Sequence, residues 1–137
     1  MKILQPPGWQ PPKGYSSGIL CEGQLLFVAG QIAWNEQAEL VTDDLAGQVE
    51  QALKNVVAIL HEGGARPEHL VRLTWYVTDK DAYLDARKAV GEVYRKIIGA
   101  HYPAMTLIEV SDLLEDRAKV EIEATAVIPL EENGELA

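Results

Sequence analysis

Cysteine is almost missing from this chain, since Cys21 is the single one among 137 residues. One cysteine excludes a disulfide within the chain and the cysteine-rich zinc motifs. Long apolar runs are missing as well, and none approaches the ~20 residues that a membrane-spanning helix needs. The first 14 residues, four of them proline, lack the apolar segment of a signal peptide. We therefore expect a cytoplasmic protein that does not bind membranes.

Positive charge is also scarce. The chain carries 12 lysines and arginines against 21 aspartates and glutamates, a formal net charge of −9. Nucleic-acid binding draws most of its affinity from clustered cations that neutralise phosphates. The cations here are scattered along the sequence, so we expect neither nucleic acid nor an anionic membrane as a partner. The acidity itself is explained most simply by solubility.

Motifs for metal and nucleophilic chemistry are missing too. His61, His69 and His101 do not have the spacing of metal ligands. The serines lie in no nucleophile-elbow motif, and the sequence contains no glycine-rich phosphate loop. We therefore expect no bound metal and no covalent serine chemistry.

Apolar periodicity predicts one α+β domain over residues 1–137. Residues 1–14 are expected to form an extended arm, and residues 131–137 a flexible tail. Alternating or continuous apolar residues predict five strands, and three- and four-residue spacing predicts two helices. The first helix should begin after Asp43 or Asp44 and end at Gly63-Gly64. The predicted strands are residues 18–21, 24–29, 70–78, 105–110 and 119–128, and the helices are residues 45–60 and 86–98.

The order ββαβαββ indicates how these elements pack. The first two strands are joined at a predicted tight turn, Glu22-Gly23. Strand–helix–strand units cross over right-handedly, so both helices should lie on one face of a mixed sheet. Residues 25–29, Leu-Leu-Phe-Val-Ala, are apolar on both sides of the pleat and predict a strand that is buried on both faces. Because a chain of this size has nothing left to cover the second face, we expect an oligomer.

Two glutamates in the last strand are candidates for acid–base chemistry. Glu121 and Glu123 are two residues apart, so their side chains share one face of the strand at about 6.6 Å. A pair of carboxylates in a cleft suits one of them for proton transfer. The simpler interpretation is a solvated strand face. Trp34 and Trp75 could line an apolar pocket, or pack in the core or in an interface.

Several segments together resemble the RidA/YjgF family. Gly30-Gln31-Ile32 is similar to the Ser-Gly-Gln-Ile segment of that family, and Tyr15 lies about where the family has a cleft tyrosine. Tyr102-Pro103-Ala104-Met105 is similar to its Phe/Tyr-Pro-Ala-Arg segment. Residues 120–127, Val-Glu-Ile-Glu-Ala-Thr-Ala-Val, are similar to its Val-Glu-Ile-Glu-x-Ile-Ala segment. The segments follow one another in the order and spacing of the family.

The resemblance implies a chorismate-mutase-like fold in a homotrimer, whose sheets form a central barrel with three clefts between neighbouring subunits. Family members that carry the arginine hydrolyse reactive enamines and imines such as 2-aminoacrylate to 2-keto acids and ammonia, with no metal or organic cofactor. Their arginine clamps the substrate carboxylate, and a strand glutamate positions or activates the water. On this resemblance we expect no cofactor here.

Carried over to this chain, the resemblance places Glu121 as the water-positioning glutamate, Gly30 as a backbone contact and Tyr15 as a wall of the cleft. Met105 occupies the arginine position and offers an apolar thioether in place of a fork of donors. Lys88 falls near a cleft asparagine of the family. It could supply a point charge there, or face solvent from its helix.

These departures, together with Leu107 where some members have a cysteine, predict an arginine-less RidA-type trimer. It would bind a small organic molecule between subunits and hydrolyse an imine or enamine other than 2-aminoacrylate. An apolar cleft around Met105 would select a less acidic substrate. The alternative is a non-enzymatic trimer that binds metabolites or partner proteins. Endoribonuclease activity, sometimes attached to the family name, is disfavoured by the acidic charge and by the lack of a catalytic histidine pair.

Overall fold

The computed structural model describes residues 1–130, so the predicted tail at 131–137 lies outside the described residues. Within them the chain forms an α+β fold, as the periodicity predicts, and a short 3₁₀ helix, Pro67–His69, precedes the strand Leu70–Val77. The strands are β1 (Lys2–Leu4), β2 (Gly18–Leu20), β3 (Gln24–Gln31), β4 (Leu70–Val77), β5 (Ala104–Glu109) and β6 (Val120–Ile128). The helices are α1 (Leu45–Glu62), α2 (Lys80–Asp85) and α3 (Arg87–Ile97).

A four-stranded mixed sheet in the order β3-β6-β4-β5 forms the centre of the fold. β6 is antiparallel to both of its neighbours, whereas β4 and β5 are parallel. A parallel pair needs a crossover connection, and α2 and α3 supply it between β4 and β5. α1 packs against α3 and against β3 and β6. The predicted mixed sheet with helices packed on it is therefore confirmed.

The core lies between α1 and one face of the sheet. The apolar stripe of α1 is fully buried at Val49, Leu53, Val56 and Leu60. On β6, every second residue from Val120 to Ala126 is at most 5% exposed, while the residues between them are half-buried. This alternation follows from the pleat of a strand, in which successive side chains point to opposite faces.

The ends of α1 agree with the sequence signals. The Asp44 carboxylate accepts a hydrogen bond from the Gly47 N–H, which satisfies one free donor of the first turn. The helix stops at Gly63, and Gly64 follows in the left-handed region at φ 79°. Glycine adopts that conformation without strain, which explains the residue at position 64.

A buried glutamine joins α1 to the segment that enters β6. Gln48 is fully buried, and its amide donates to the carbonyl oxygens of Thr42 (2.9 Å) and Arg117 (3.1 Å). Its own side-chain oxygen accepts from the Lys119 N–H at 2.8 Å. The side-chain amide of Gln48 leaves water on folding, so these hydrogen bonds satisfy it and hold the start of β6 in place.

The first two predicted strands are joined at Glu22-Gly23, but they do not pair with each other. β2 pairs with β1, a strand within the predicted N-terminal arm, and β3 pairs with β6. The reason lies at Gly23, which has φ 148° and runs against the end of β6. A β-carbon there would lie 2.1 Å from the carbonyl oxygen of Ile128, so only glycine fits. The connection therefore passes β6 instead of closing a hairpin.

The second predicted helix, residues 86–98, corresponds to α3. The sequence analysis did not predict α2, which precedes α3 and begins where the Asp79 carboxylate accepts a hydrogen bond from the Ala82 N–H. The helical geometry is interrupted at Ala86, whose φ and ψ are −94° and 4°, and α3 begins at Arg87. Residues 1–130 therefore form three α-helices, where the sequence predicts two.

The other face of the sheet is open in a single chain. Leu25 and Phe27 on β3 are 60% and 73% exposed, although the sequence predicts burial on both faces of this strand. Uncovered aromatic and aliphatic side chains in one place on a sheet are typical of an interaction surface. In the described part of the chain, no helix combines the length and the apolar character that crossing a membrane requires.

The role of Gln48 predicts a large stability effect for a small substitution. Gln48→Ala removes three hydrogen bonds and leaves partly buried backbone groups unpaired, which should lower the free energy of unfolding by about 2–4 kcal/mol. Gln51→Ala is the matched control, because Gln51 lies on the same helix and bonds only the side chain of Asn55. Urea denaturation measures both, and equal effects would contradict the assigned role.

Candidate functional site

A cavity of about 590 Å³ lies between α3, β5 and the segment before β2. Aromatic and apolar side chains form most of its wall, and its charged lining residues are all cations. It is lined by Lys13, Gly14, Tyr15, Trp75, Tyr83, Arg87, Val90, Gly91, Tyr94, Arg95, Tyr102, Met105 and Leu107. A volume of this size is within the ~300–1,000 Å³ range of pockets for small organic ligands.

Tyr15 and Met105, ninety residues apart in sequence, are brought together in this cavity. The link is Ser16, which is buried beside the start of β5. Its N–H donates to the Pro103 carbonyl at 3.0 Å, and its Oγ donates to the Tyr102 carbonyl at 2.6 Å. These bonds hold residue 15 next to the strand that carries Met105.

Three aromatic rings form one wall of the cavity. Tyr94 stacks on Tyr102 with ring centroids 5.4 Å apart, and Trp75 lies 6.4 Å from Tyr94. The Tyr94 hydroxyl donates to the carbonyl oxygen of His101. Burial raises the pKa of Tyr94 above its ordinary value, so this phenol stays neutral. The two interpretations of Trp75 from the sequence both hold, since it is 4% exposed in the core and also lines the cavity.

Glu121 lies on the other face of the sheet from Met105. In the register of β4, Met105 is opposite Leu73 and Glu121 is opposite Tyr76. Leu73 is fully buried under the helices, and Tyr76 is three residues further along the strand, so their side chains point to opposite faces. Within one chain, therefore, Met105 and Glu121 do not share a site.

Gly30 and Glu121 are in close contact on that second face. The pairing of β3 with β6 shifts between Val28 and Gln31, an irregularity that re-aims the backbone around Gly30. A β-carbon added at Gly30 would lie 2.8 Å from Cδ of Glu121. In residues 1–130, no ion pair engages the Glu121 carboxylate and no side chain donates to it. The glutamate is thus held by packing and keeps its oxygens available.

Glu123, the other glutamate of the pair, is engaged. It accepts a hydrogen bond from the Tyr76 hydroxyl at 2.7 Å. This bond is the main cause of a raised pKa at Tyr76. The carboxylate that could act on a ligand is therefore that of Glu121, and Glu123 holds Tyr76.

Comparison with known proteins identifies the chain. A family model described as Endoribonuclease L-PSP matches residues 8–128. This protein belongs to the Rid/YjgF/RutC family. One relative in the family is the 2-iminobutanoate/2-iminopropanoate deaminase of Escherichia coli K12, which is 34% identical over 105 residues. The match covers 77% of this chain and 80% of the relative.

Solved structures of Rid-family proteins have the same α+β fold. YyfB of Yersinia pestis is 35% identical and superposes with a TM-score of 0.81, covering 92% of this chain and 97% of that chain. TdcF of E. coli, solved with bound serine, is 31% identical with a TM-score of 0.66, covering 93% and 98% of the two chains. The bound serine shows that the TdcF structure holds a small molecule.

The positions carried over from the Rid family fall into two groups. Tyr15, Met105 and Leu107 line the cavity, whereas Gly30 and Glu121 lie together on the opposite face of the sheet. The site that the sequence resemblance implies contains both groups, but within one chain the sheet separates them.

Lys88 belongs to neither group, because it is exposed on α3 and does not line the cavity. The cations that do line it from α3 are Arg87 and Arg95, which the sequence reading missed. Their signal was present in the sequence: Arg87, Gly91 and Arg95 recur every four residues, the spacing that places side chains on one face of a helix. In the part of the chain that the structure describes, no group of His, Cys, Asp and Glu could hold a metal ion.

Proposed function

We propose that this protein is an arginine-less Rid protein that hydrolyses an imine or enamine other than 2-aminoacrylate. It acts in the cytoplasm as a homotrimer, binds its small organic ligand in clefts between subunits and uses no metal or organic cofactor. The observation that carries the proposal is the Glu121 carboxylate, which packs against Gly30 and forms no ion pair in residues 1–130. The imine deaminase of E. coli, 34% identical, supports the reaction class.

The division of the site residues supports assembly of more than one chain, in the homotrimer that the family resemblance implies. Met105 and Tyr15 lie on one side of the sheet and Glu121 on the other, so one chain cannot place all three around one ligand. The open face also carries exposed Leu25 and Phe27, which need a cover. A second chain that packs on this face covers both residues and brings its own cavity towards Glu121 of the first chain.

The chemistry assigned to Glu121 is proton transfer in the addition of water to a C=N bond. An enamine first moves a proton from nitrogen to carbon and becomes the imine. Glu121 takes a proton from water while the oxygen attacks the imine carbon, and then gives that proton to the nitrogen, so the carboxylate is regenerated in the carbinolamine. In the second step the hydroxyl proton passes through Glu121 to the nitrogen while the C–N bond breaks, the carbonyl group forms and ammonia leaves. The products are a carbonyl compound and ammonia.

Met105 sets the substrate range in this proposal. An arginine at this position would hold a carboxylate through a charge-assisted hydrogen bond, worth about 1.5–3 kcal/mol. A thioether offers apolar, polarizable contact instead. A very small imino acid such as 2-aminoacrylate loses its main contact, whereas a ligand with more apolar surface gains one.

The role of Glu121 predicts a loss of turnover without a loss of assembly. Glu121→Gln keeps the shape and the contact with Gly30 but removes the base, so ammonia release from the best imine of an amino-acid-derived panel should fall by roughly 10²–10⁴-fold. Gly30→Ala should act in the same direction, because the new methyl group displaces the Glu121 carboxylate. Ammonia release above the uncatalysed rate measures both.

Glu123→Gln is the matched control for these variants. It removes the same charge two residues along the same strand face and keeps an acceptor for Tyr76. Catalysis by Glu121 is refuted if Glu121→Gln is as fast as the wild type. With no turnover of any imine in the panel, the enzymatic proposal gives way to a non-enzymatic, ligand-binding trimer.

The proposed role of Met105 predicts that an arginine at this position adds activity towards 2-aminoacrylate. Met105→Arg places a guanidinium in the cavity beside Tyr15, and we expect hydrolysis of 2-aminoacrylate to appear or to rise about tenfold or more, from one charge-assisted bond. Met105→Gln is the control, since it adds polarity without charge. Pyruvate formation from 2-aminoacrylate generated in situ is the measurement. Equal rates for the two variants would contradict a defect in carboxylate binding.

If the open face packs against another chain in the trimer, a single charge placed on that face should disrupt the assembly. Sedimentation equilibrium of the wild type should give three times the chain mass of 15.1 kDa. Phe27→Lys, at a position 73% exposed in one chain, should lower that mass because burial of an unpaired ammonium is costly. Leu114→Lys, on a fully exposed loop residue, should leave it unchanged. A monomeric wild type would end the proposal of an intersubunit site.

A further inference from the structure

The charge of the cavity is opposite to the charge of the protein. The chain carries a net charge of −9, yet the charged residues that line the cavity are Lys13, Arg87 and Arg95. The sequence expectation of a less acidic ligand rests on Met105 alone. Cations of one sign in a partly enclosed pocket attract an anion more strongly than scattered surface charges do. Because of these cations, the cavity fits an anionic ligand, whereas Met105 taken alone predicts a less acidic one.

Arg87 and Arg95 lie on one stripe of α3, with Gly91 between them. A β-carbon added at Gly91 would lie 3.4 Å from a terminal nitrogen of Arg95, so the guanidinium folds back over the glycine towards Arg87. A glycine inside a helix costs about 1 kcal/mol relative to alanine. Here it leaves room for the Arg95 guanidinium beside the cavity that Arg87 also lines.

Neither arginine is neutralised by the rest of the described chain. The structure gives ion pairs for Lys96 with Glu50, for Lys54, for Arg66 and for Arg117, and none for Arg87 or Arg95 within residues 1–130. Arg87 also stands at the first position of α3, where the helix dipole disfavours a cation and no acidic residue compensates. Its Nε donates to the Leu84 carbonyl at 3.0 Å, which orients the guanidinium and leaves its terminal N–H groups available.

Trp75 forms part of the inner wall of the cavity and is 4% exposed. Its indole nitrogen is buried and has no hydrogen-bond acceptor among the described residues. Because that nitrogen is out of reach of a water-sized molecule, the ring offers a ligand an apolar surface and not a hydrogen-bond donor.

We propose that the cavity binds an amphiphilic carboxylate, whose carboxylate lies between Arg87 and Arg95. Its aromatic or large aliphatic body lies against Tyr94, Tyr102 and Met105, beside the ring of Trp75. Arg87 and Arg95 on α3 thus make the carboxylate contact that Met105 on β5 cannot make. The inference rests on the proposed function in one respect: the substrate is then a 2-imino acid with a bulky apolar side chain, rather than 2-aminoacrylate.

Binding of an unreactive probe tests the anion site without any turnover. Isothermal titration calorimetry of the full chain should show 3-phenylpropanoate binding about tenfold or more tightly than 3-phenylpropanamide, which has the same body without the charge. Acetate, which has the charge without the body, should bind weakly. Arg87→Gln and Arg95→Gln should each weaken 3-phenylpropanoate about tenfold, and the double variant should bind acid and amide equally.

Lys96→Gln is the matched control, because it removes one cation next to Arg95 from a side chain that pairs with Glu50 instead. It should leave the preference for the acid unchanged, and circular dichroism checks that all variants are folded. Equal binding of acid and amide by the wild type would overturn the proposal. So would a loss for Lys88→Gln as large as that for Arg87→Gln, or inorganic phosphate binding as tightly as 3-phenylpropanoate.

Turnover separates this inference from the proposed function. With the imine of phenylalanine, Arg87→Gln and Arg95→Gln should raise KM about tenfold at a retained kcat, whereas Glu121→Gln should lower kcat. If no imine is hydrolysed but the acid is still preferred over the amide, hydrolysis is wrong and the anion site stands. If the imine is hydrolysed with kinetics that neither arginine affects, hydrolysis stands and the anion site is wrong.

Discussion

The pleat of β6 is the constraint on which the rest of the structure depends. This strand lies between β3 and β4 and is hydrogen-bonded on both sides, so it cannot shift without breaking two ladders. Its buried residues, among them Ile122 and Ala126, face α1, which leaves Glu121 and Glu123 on the opposite face. A slip of one residue would put both carboxylates into the core. The core and the position of the candidate base are therefore set by the same register.

The same register divides the candidate site. Met105 on β5 and the aromatic wall of the cavity lie on the helix side of the sheet, and Glu121 with Gly30 lies on the open side. A sheet keeps its two faces apart, so a ligand in the cavity of one chain cannot reach the glutamate of that chain. In the proposed function, assembly is then a requirement for activity. It also explains why the open face can carry exposed leucine and phenylalanine beside a carboxylate.

Much of the fold could be predicted from the sequence, because each long element carries its own periodic pattern. The α1 stripe, the Asp44 cap, the Gly63-Gly64 stop and the strands β4 and β6 follow from residues close in sequence. Strand pairing was harder, since the partners of β2 and β3 depend on how Gly23 passes the end of β6. The site was harder still. Arg87 lines the cavity and the adjacent Lys88 does not, because one residue turns a helix by about 100° and the break at Ala86 sets that rotation.

By itself, the sequence determined the α+β class, the family, and the chemical types available: a strand glutamate, a glycine beside it, and a methionine where an arginine is usual. These follow from patterns of nearby residues and from segments in a given order. Only the tertiary structure decided that Met105 and Glu121 lie on opposite faces of the sheet, and that two arginines of α3 line the same cavity as the methionine. Both depend on the relative rotation of elements far apart in the chain, which packing and hydrogen bonding set and which no local pattern encodes.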